Sequence, residues 1–269
     1  MSRGRLLAAL VVAAIAIFGY FGSSVFNPIT EETQRVGSIT PEQEVALGLQ
    51  AAPEMAQQFG GLDPDNQAQA RVDQVGERLV SRSAAGKSPY RFEFHVLDDP
   101  ETINAFALPG GQIFITEGLL RRLKTPGELA GVLGHEIAHV VARHGAEHIA
   151  KQQLTEGLTG AAVLATYDPN NPSSQTGAAV AAMIGQLVNM RFGRQDELES
   201  DRLGVRFASE AQYDPRSMIA LMKILAESSE GGRQPEFFST HPNPENRIQR
   251  IQEAVQKRYP DGVPSGLEK

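Results

Sequence analysis

No cysteine occurs in the 269 residues. Disulfides are thereby excluded, and so is an N-terminal cysteine that could carry lipid. Positive charge is in deficit, with 25 Lys and Arg against 32 Asp and Glu and a formal net charge of −7, a balance that argues against nucleic acid as a partner. Self-similarity at a solenoid period is also missing, which excludes a stacked-repeat architecture. What is present is an ordinary hydrophobic content of 41%, in a chain long enough to bury one full core behind an N-terminal segment.

That segment has its own pattern. Arg3 and Arg5 precede an uncharged run from Leu6 to Phe26 whose apolar core ends at Phe21, as in a secretory signal peptide or an N-terminal signal anchor. The arginines belong on the cytoplasmic side and the remainder across the membrane. Gly22 and Ser24 are small enough for a cut site, while a span of about 20 residues with modest tilt is long enough to remain as an anchor. The expected divisions are 1–26 as signal peptide or anchor, 27–39 as linker, 40–260 as the main domain and 261–269 as a flexible tail.

The strongest chemical signal is His135-Glu136-Ile137-Ala138-His139 inside an apolar stretch of helical period. Residues four apart in a helix lie one above the other, so both imidazoles face one point and Glu136 flanks it. Two neutral imidazoles are half of a tetrahedral zinc shell; a third ligand must come from elsewhere, and the fourth position must stay open for water. Glu136 is the candidate base for that water. Thr125-Pro126-Gly127-Glu128 reads as a capping box that starts the helix, which the apolar stripe Leu129, Val132, Leu133, Ile137, Val140 and Val141 extends toward Leu154. Gly131 and Gly134 point to close packing just before the histidines. A metzincin is excluded, because Ala142 and Gly145 stand where its Gly and third His belong. On a continuous helix His144 and His148 rotate off the ligand face, so both are expected at the surface or behind a ligand.

The third ligand is expected in Asp196-Glu197-Leu198-Glu199-Ser200-Asp201, which opens a second helix and would complete a His2Glu set. Spacing alone does not choose between Glu197 and Glu199. Near the end of the chain, Asn243 and Pro244 read as N-cap and N1 of the last helix, which places His241 on a loop and Arg247 in the first turns. Arg91–Leu97 and Gln112–Thr116 alternate as strands around the turn chemistry of Pro109-Gly110-Gly111. An edge strand there would take an extended substrate by strand addition, making Asn104, Gly110, Gly111, Gln112, Ile113 and Phe114 the substrate-side candidates. Helices are further expected from Thr40, from Asn66 to Ala84, from Gly157 to Thr166 and from Thr176 to Met190. Polar loops at 167–175 and 231–235 separate elements, the first a connector or a lid. The class is α+β, mostly helical, with a small sheet preceding the zinc helix.

Four motifs occur in order: Leu108-Pro109-Gly110-Gly111, the His135–His139 pentad, Glu197-x-x-x-Asp201 and Ser239-Thr240-His241-Pro242. Together they resemble the gluzincin metallopeptidases of the HtpX and CAAX-prenyl-protease type, over roughly Thr40 to Tyr259, and within them the small bacterial periplasmic BepA-like branch without its repeat domain. The resemblance implies one zinc per chain on His135, His139 and Glu197, with Glu136 as base and Asp201 orienting a ligand imidazole. It also implies that His241 and Arg247 face the metal. There they stabilise the oxyanion of the transition state, or His241 occupies the open position and holds the enzyme off.

The activity so implied is a zinc endopeptidase acting on protein or peptide substrates, misfolded or unassembled envelope proteins, in envelope quality control. Its place is the periplasmic side of a bacterial inner membrane if the N-terminus stays as an anchor, or the soluble periplasm if it is cleaved. The alternative is a metal-bound chaperone or binding protein with latent protease activity.

Overall fold

The computed structural model describes residues 3–37, 39–166, 192–228, 235–243 and 246–269. Helix α1 (Arg3–Phe21) leads into a small hairpin, β1 (Ser24–Asn27) with β2 (Glu32–Arg35). Helices α2 (Pro41–Gln58) and α3 (Asn66–Arg82) follow, then β3 (Glu93–Leu97), β4 (Ala105–Ala107), β5 (Gln112–Thr116), the short α4 (Glu117–Leu120) and α5 (Pro126–Val141). The described remainder is α6 (His144–Thr166), α7 (Arg194–Glu210), α8 (Ser217–Glu227), α9 (Phe237–Thr240) and α10 (Arg247–Arg258). The expected α+β class, mostly helical with a small sheet ahead of the pentad helix, is what forms. Segments 167–175 and 176–190, expected as a loop and a helix, lie outside the described residues, as does most of the 231–235 loop.

Local chemistry starts α2 and α5 where the sequence places them. Thr40 and Gln43 close one capping box, Thr125 and Glu128 the other, each with proline at the next position. Every side chain of α5 from Leu129 to Val141 is buried, because α3, α7, α8 and the sheet surround it. The close packing expected at its glycines is found. An added Cβ on Gly131 would lie 3.3 Å from Met218 Cα, and Gly134 faces Gly204 of α7 backbone to backbone. This crossing brings Glu197 and Asp201 of α7 beside His135.

Three expectations are corrected. First, the pentad helix does not run on toward Leu154. It stops at Val141, and Arg143 takes the left-handed conformation at φ 57° before α6 begins. The cause is tertiary: Glu44 accepts from Arg143 Nε at 2.9 Å and from the Tyr90 hydroxyl, while Arg143 Nη2 donates to Ile39 O at 2.8 Å. Second, the last helix begins at Arg247, with Asn246 in the cap position at φ 63°, a conformation asparagine tolerates. Third, β5 is the central strand in the order β3-β5-β4, parallel to β3 and antiparallel to β4. Gln112, Ile113 and Phe114 are thus paired on both sides and have no free edge for a substrate strand, which leaves Ala105–Ala107 as the edge nearest α5.

Gly110 and Gly111 are also filled by the fold. Both have positive φ, and an added Cβ would sit 2.4 Å from Val45 Cα at Gly110 and 2.4 Å from Arg91 O at Gly111. Gly110→Ala is expected to cost about 1–3 kcal/mol through overpacking, or about 2–4 °C in Tm per kcal/mol. An unchanged melting temperature would show that α2 does not press on this turn.

At the N-terminus, α1 lies along α6, with Ala16 against Gly157, and leaves Leu7, Leu10, Ile15 and Phe18 exposed. Among the described residues no helix is long and apolar enough to cross a membrane. The end of the chain is docked, Leu267 being buried and Glu268 bonded to the backbone around Tyr213.

Candidate metal centre

His135, His139, Glu197 and His241 offer ligand atoms that all lie within 4.8 Å of one another, and none of the four is more than 2% exposed. The Nε2 atoms of His135 and His139 are 3.0 Å apart. Glu197 Oε2 is 3.5 Å from the first and Oε1 3.4 Å from the second. Two ligands on a tetrahedron with bonds of about 2.0–2.1 Å stand about 3.3–3.4 Å apart, so this spacing fits zinc. Hydrogen bonding agrees, since both Glu197 oxygens and His241 Nε2 are buried with no hydrogen-bond partner among the described residues. Such groups are costly unless something else satisfies them.

Tautomers follow from the partners behind the rings. Asp201 Oδ1 lies 3.0 Å from His135 Nδ1, so that nitrogen carries the proton and Nε2 presents its lone pair to the cluster. Arg247 grips Asp201 with two bonds, Nε to Oδ2 at 2.7 Å and Nη2 to Oδ1 at 2.9 Å. Its Nη1 is 3.2 Å from Glu197 Oε2, an ion pair by distance whose angle is not that of a hydrogen bond. The guanidinium expected to face a reacting oxygen therefore lies against two carboxylates. Burial pushes Asp201 up, but the Arg247 charge and the His135 contact more than reverse it. Glu197 falls well below the ordinary carboxylate range, burial being outweighed by the imidazoles of His241, His135 and His139. Burial holds His139 well below the usual histidine range, as a neutral ligand requires. For His135 burial is reversed by Asp201 and Glu197, to about 9, so a metal taking its Nε2 must displace a proton.

Glu136 is wholly buried, both its oxygens lack hydrogen-bond partners among the described residues, and Oε1 is 3.6 Å from His241 Nε2. His241 stacks on Phe237 at 4.4 Å, and its Nδ1 lies 3.3 Å from Phe237 O and 2.9 Å from Thr240 Oγ1. A carbonyl can only accept, so the ring proton sits on Nδ1 and the bare Nε2 points into the cluster. Asn104, just before the edge strand β4, is buried, and its Oδ1 has no hydrogen-bond partner among the described residues.

Of the residues expected from sequence, the fold brings together the pentad, Glu197, Asp201, His241 and Arg247. Gly110 and Gly111 are turn positions against α2, and Gln112 to Phe114 belong to the central strand. Glu199 is turned away from the cluster, 3.2 Å from His144 Nε2. Unforeseen was Phe192, which stacks on His139 at a centroid distance of 3.9 Å and donates its N–H to Thr240 O at 3.0 Å. It belongs to no motif, so nothing in the sequence marked it. Between Phe192, His139 and the β4 side of the site, at Ala107 to Pro109, is a cavity of about 10 Å³, room for one water at most.

Residues 66–255 match the model of a family described as peptidase family M48. The mitochondrial metalloendopeptidase OMA1 of Schizosaccharomyces pombe is 33% identical across 87% of this chain and 67% of its own length. The beta-barrel assembly-enhancing protease of Escherichia coli is 35% identical across 66% of this chain, but only 37% of its own length is matched. The bovine mitochondrial metalloendopeptidase OMA1 is 33% identical across 63% of this chain and 34% of its own length.

Proposed function

The chain belongs to peptidase family M48 and carries a metalloendopeptidase domain, and from that premise we propose a zinc-dependent endopeptidase that cleaves protein substrates and rests in a latched state. The observation that carries the reading is the buried cluster of His135, His139, Glu197 and His241 beside Glu136, whose oxygens have no hydrogen-bond partner among the described residues. His135, His139 and Glu197 would hold the ion. When bound, zinc acidifies a water and polarises the scissile carbonyl.

The chain's own residues do the rest. Glu136 takes the proton from the attacking water and passes it to the leaving amine. Asp201, clamped by Arg247, fixes the His135 ring. The edge strand Ala105–Ala107, with the Asn104 carboxamide, is the surface against which an extended peptide would align. In the resting state His241 directs its bare Nε2 at the position water needs, and the Phe192 ring covers His139. Substrate entry requires the loop carrying His241 to move, as gating loops do.

His241→Ala is therefore expected to raise basal casein cleavage at matched zinc occupancy. A fall in rate, of the 10²–10³ typical for a lost oxyanion donor, would reject the latch and assign His241 to the transition state.

Bacterial envelope quality control is the proposed setting. Support comes from the relatives named for β-barrel assembly and from the exposed apolar side of α1, which suits a membrane-proximal location on the periplasmic side. Misfolded or unassembled envelope proteins are the proposed substrates. A second reading, a metal-bound chaperone with latent proteolysis, is favoured by the closed cluster, in which no residue exceeds 2% exposure. Comparing Glu136→Gln with wild type in a client-assembly assay separates the two, because only a chaperone would keep its effect without the base.

A further inference from the structure

The break at Arg143 has a chemical result. On a continuous helix His144 would point away from His139. After the break the residue is 1% exposed, with Nδ1 2.9 Å from His139 Nδ1 and Nε2 3.2 Å from Glu199 Oε2. Two facing nitrogens form a hydrogen bond only if one carries a proton. For His139 to present a lone pair at Nε2, its proton must be on Nδ1, which makes His144 Nδ1 the acceptor. The proton of His144 is then on Nε2, where the Glu199 carboxylate receives it. Each step has one allowed direction, from His139 through His144 to Glu199. The Ser200 hydroxyl is a more distant neighbour of the same nitrogen, at 3.4 Å.

The two pentad histidines are thus backed alike. His135 donates directly to the carboxylate of Asp201, and His139 reaches a carboxylate through an intervening imidazole. Both carboxylates come from α7, two residues apart. The glutamate that spacing could not separate from Glu197 has its own place, behind the second histidine. Its side chain opens onto the groove between α7 and α10 and lies 3.7 Å from the Arg202 guanidinium.

We propose that His144 and Glu199 are positioning residues for His139, fixing its tautomer and ring angle so that Nε2 is held ready for the metal. The proposal rests on the zinc reading above. Groups hydrogen-bonded behind a metal ligand typically change metal affinity 10–100-fold when lost.

The test is the zinc dissociation constant of the full chain by competition with a chromophoric chelator, with the visible spectrum of the cobalt-substituted protein and the melting temperature of the metal-free form. His144→Leu removes the acceptor and is expected to weaken zinc about 10–100-fold and to shift the cobalt bands. His144→Asn can place a carboxamide oxygen near Nδ1, and is expected to recover most of the affinity. Glu199→Gln keeps an acceptor for Nε2–H and is expected to weaken zinc less than His144→Leu. A His144→Leu affinity within about twofold of wild type would overturn the proposal. So would equal losses in the Leu and Asn variants, which would make the residue a packing element only. Wild-type protein that binds no zinc would sink the metal assignment and the relay with it, whereas normal wild-type binding with unaffected variants sinks the relay alone.

Discussion

Glu136→Gln is expected to abolish nearly all proteolysis, a loss of about 10²–10⁴, while zinc content stays at one per chain. The amide has almost the volume of the carboxylate, so a fully buried position on α5 beside His241 is not disturbed. What disappears is the proton acceptor. Among the described residues neither Glu136 oxygen has a hydrogen-bond partner, and one is 3.6 Å from His241 Nε2, the condition of a base kept clear for an exchangeable partner. Casein cleavage and metal analysis on the same preparation decide the matter. Activity within about tenfold of wild type would remove Glu136 from the role of base.

The second large effect concerns the metal itself. Glu197→Ala is expected to leave the purified protein without stoichiometric zinc, because it deletes one of the three proposed protein ligands. It also removes one of the two carboxylates against Arg247, whose Nη1 stood 3.2 Å from Glu197 Oε2. Asp201 still pairs the guanidinium, so the buried cation keeps one counter-charge and the expected loss is chiefly that of the ligand. Glu199→Ala should keep its zinc through the same purification, since a weaker grip behind His139 still leaves all three ligands. The reverse pattern in metal content would move the ligand to Glu199 and contradict the geometry of both residues.

What could be read in advance was local. Thr125 and Glu128 close their capping box within four residues, and His135 and His139 converge because helical geometry alone decides it. Gly134 signalled close packing, although its partner Gly204 was invisible from sequence. Glu197 and Asp201 came from the resemblance, since only the α5–α7 crossing tells which acid faces His135. Two readings went astray because distant segments set the outcome, and a third for a local reason. The end of α5 depends on Glu44 and Ile39, about a hundred residues upstream of Arg143. The standing of Gln112 to Phe114 depends on β3 pairing parallel to β5. The cap of the last helix settled on Asn246, a residue able to take a left-handed conformation that strand and helix periods do not encode.

The left-handed turn at Arg143 also separates two mechanical roles. An unbroken rod from Pro126 to Thr166 would transmit any twist or slide of its far end to the pentad, rotating His135 and His139 away from their common focus. With the joint at Arg143 pinned by Glu44 and Ile39, a change at the far end of α6 is not carried into the pentad as the rotation of a single rod. Variation in the chain beyond His144 can therefore accumulate without detuning the ligands, provided that His144 itself stays beside His139.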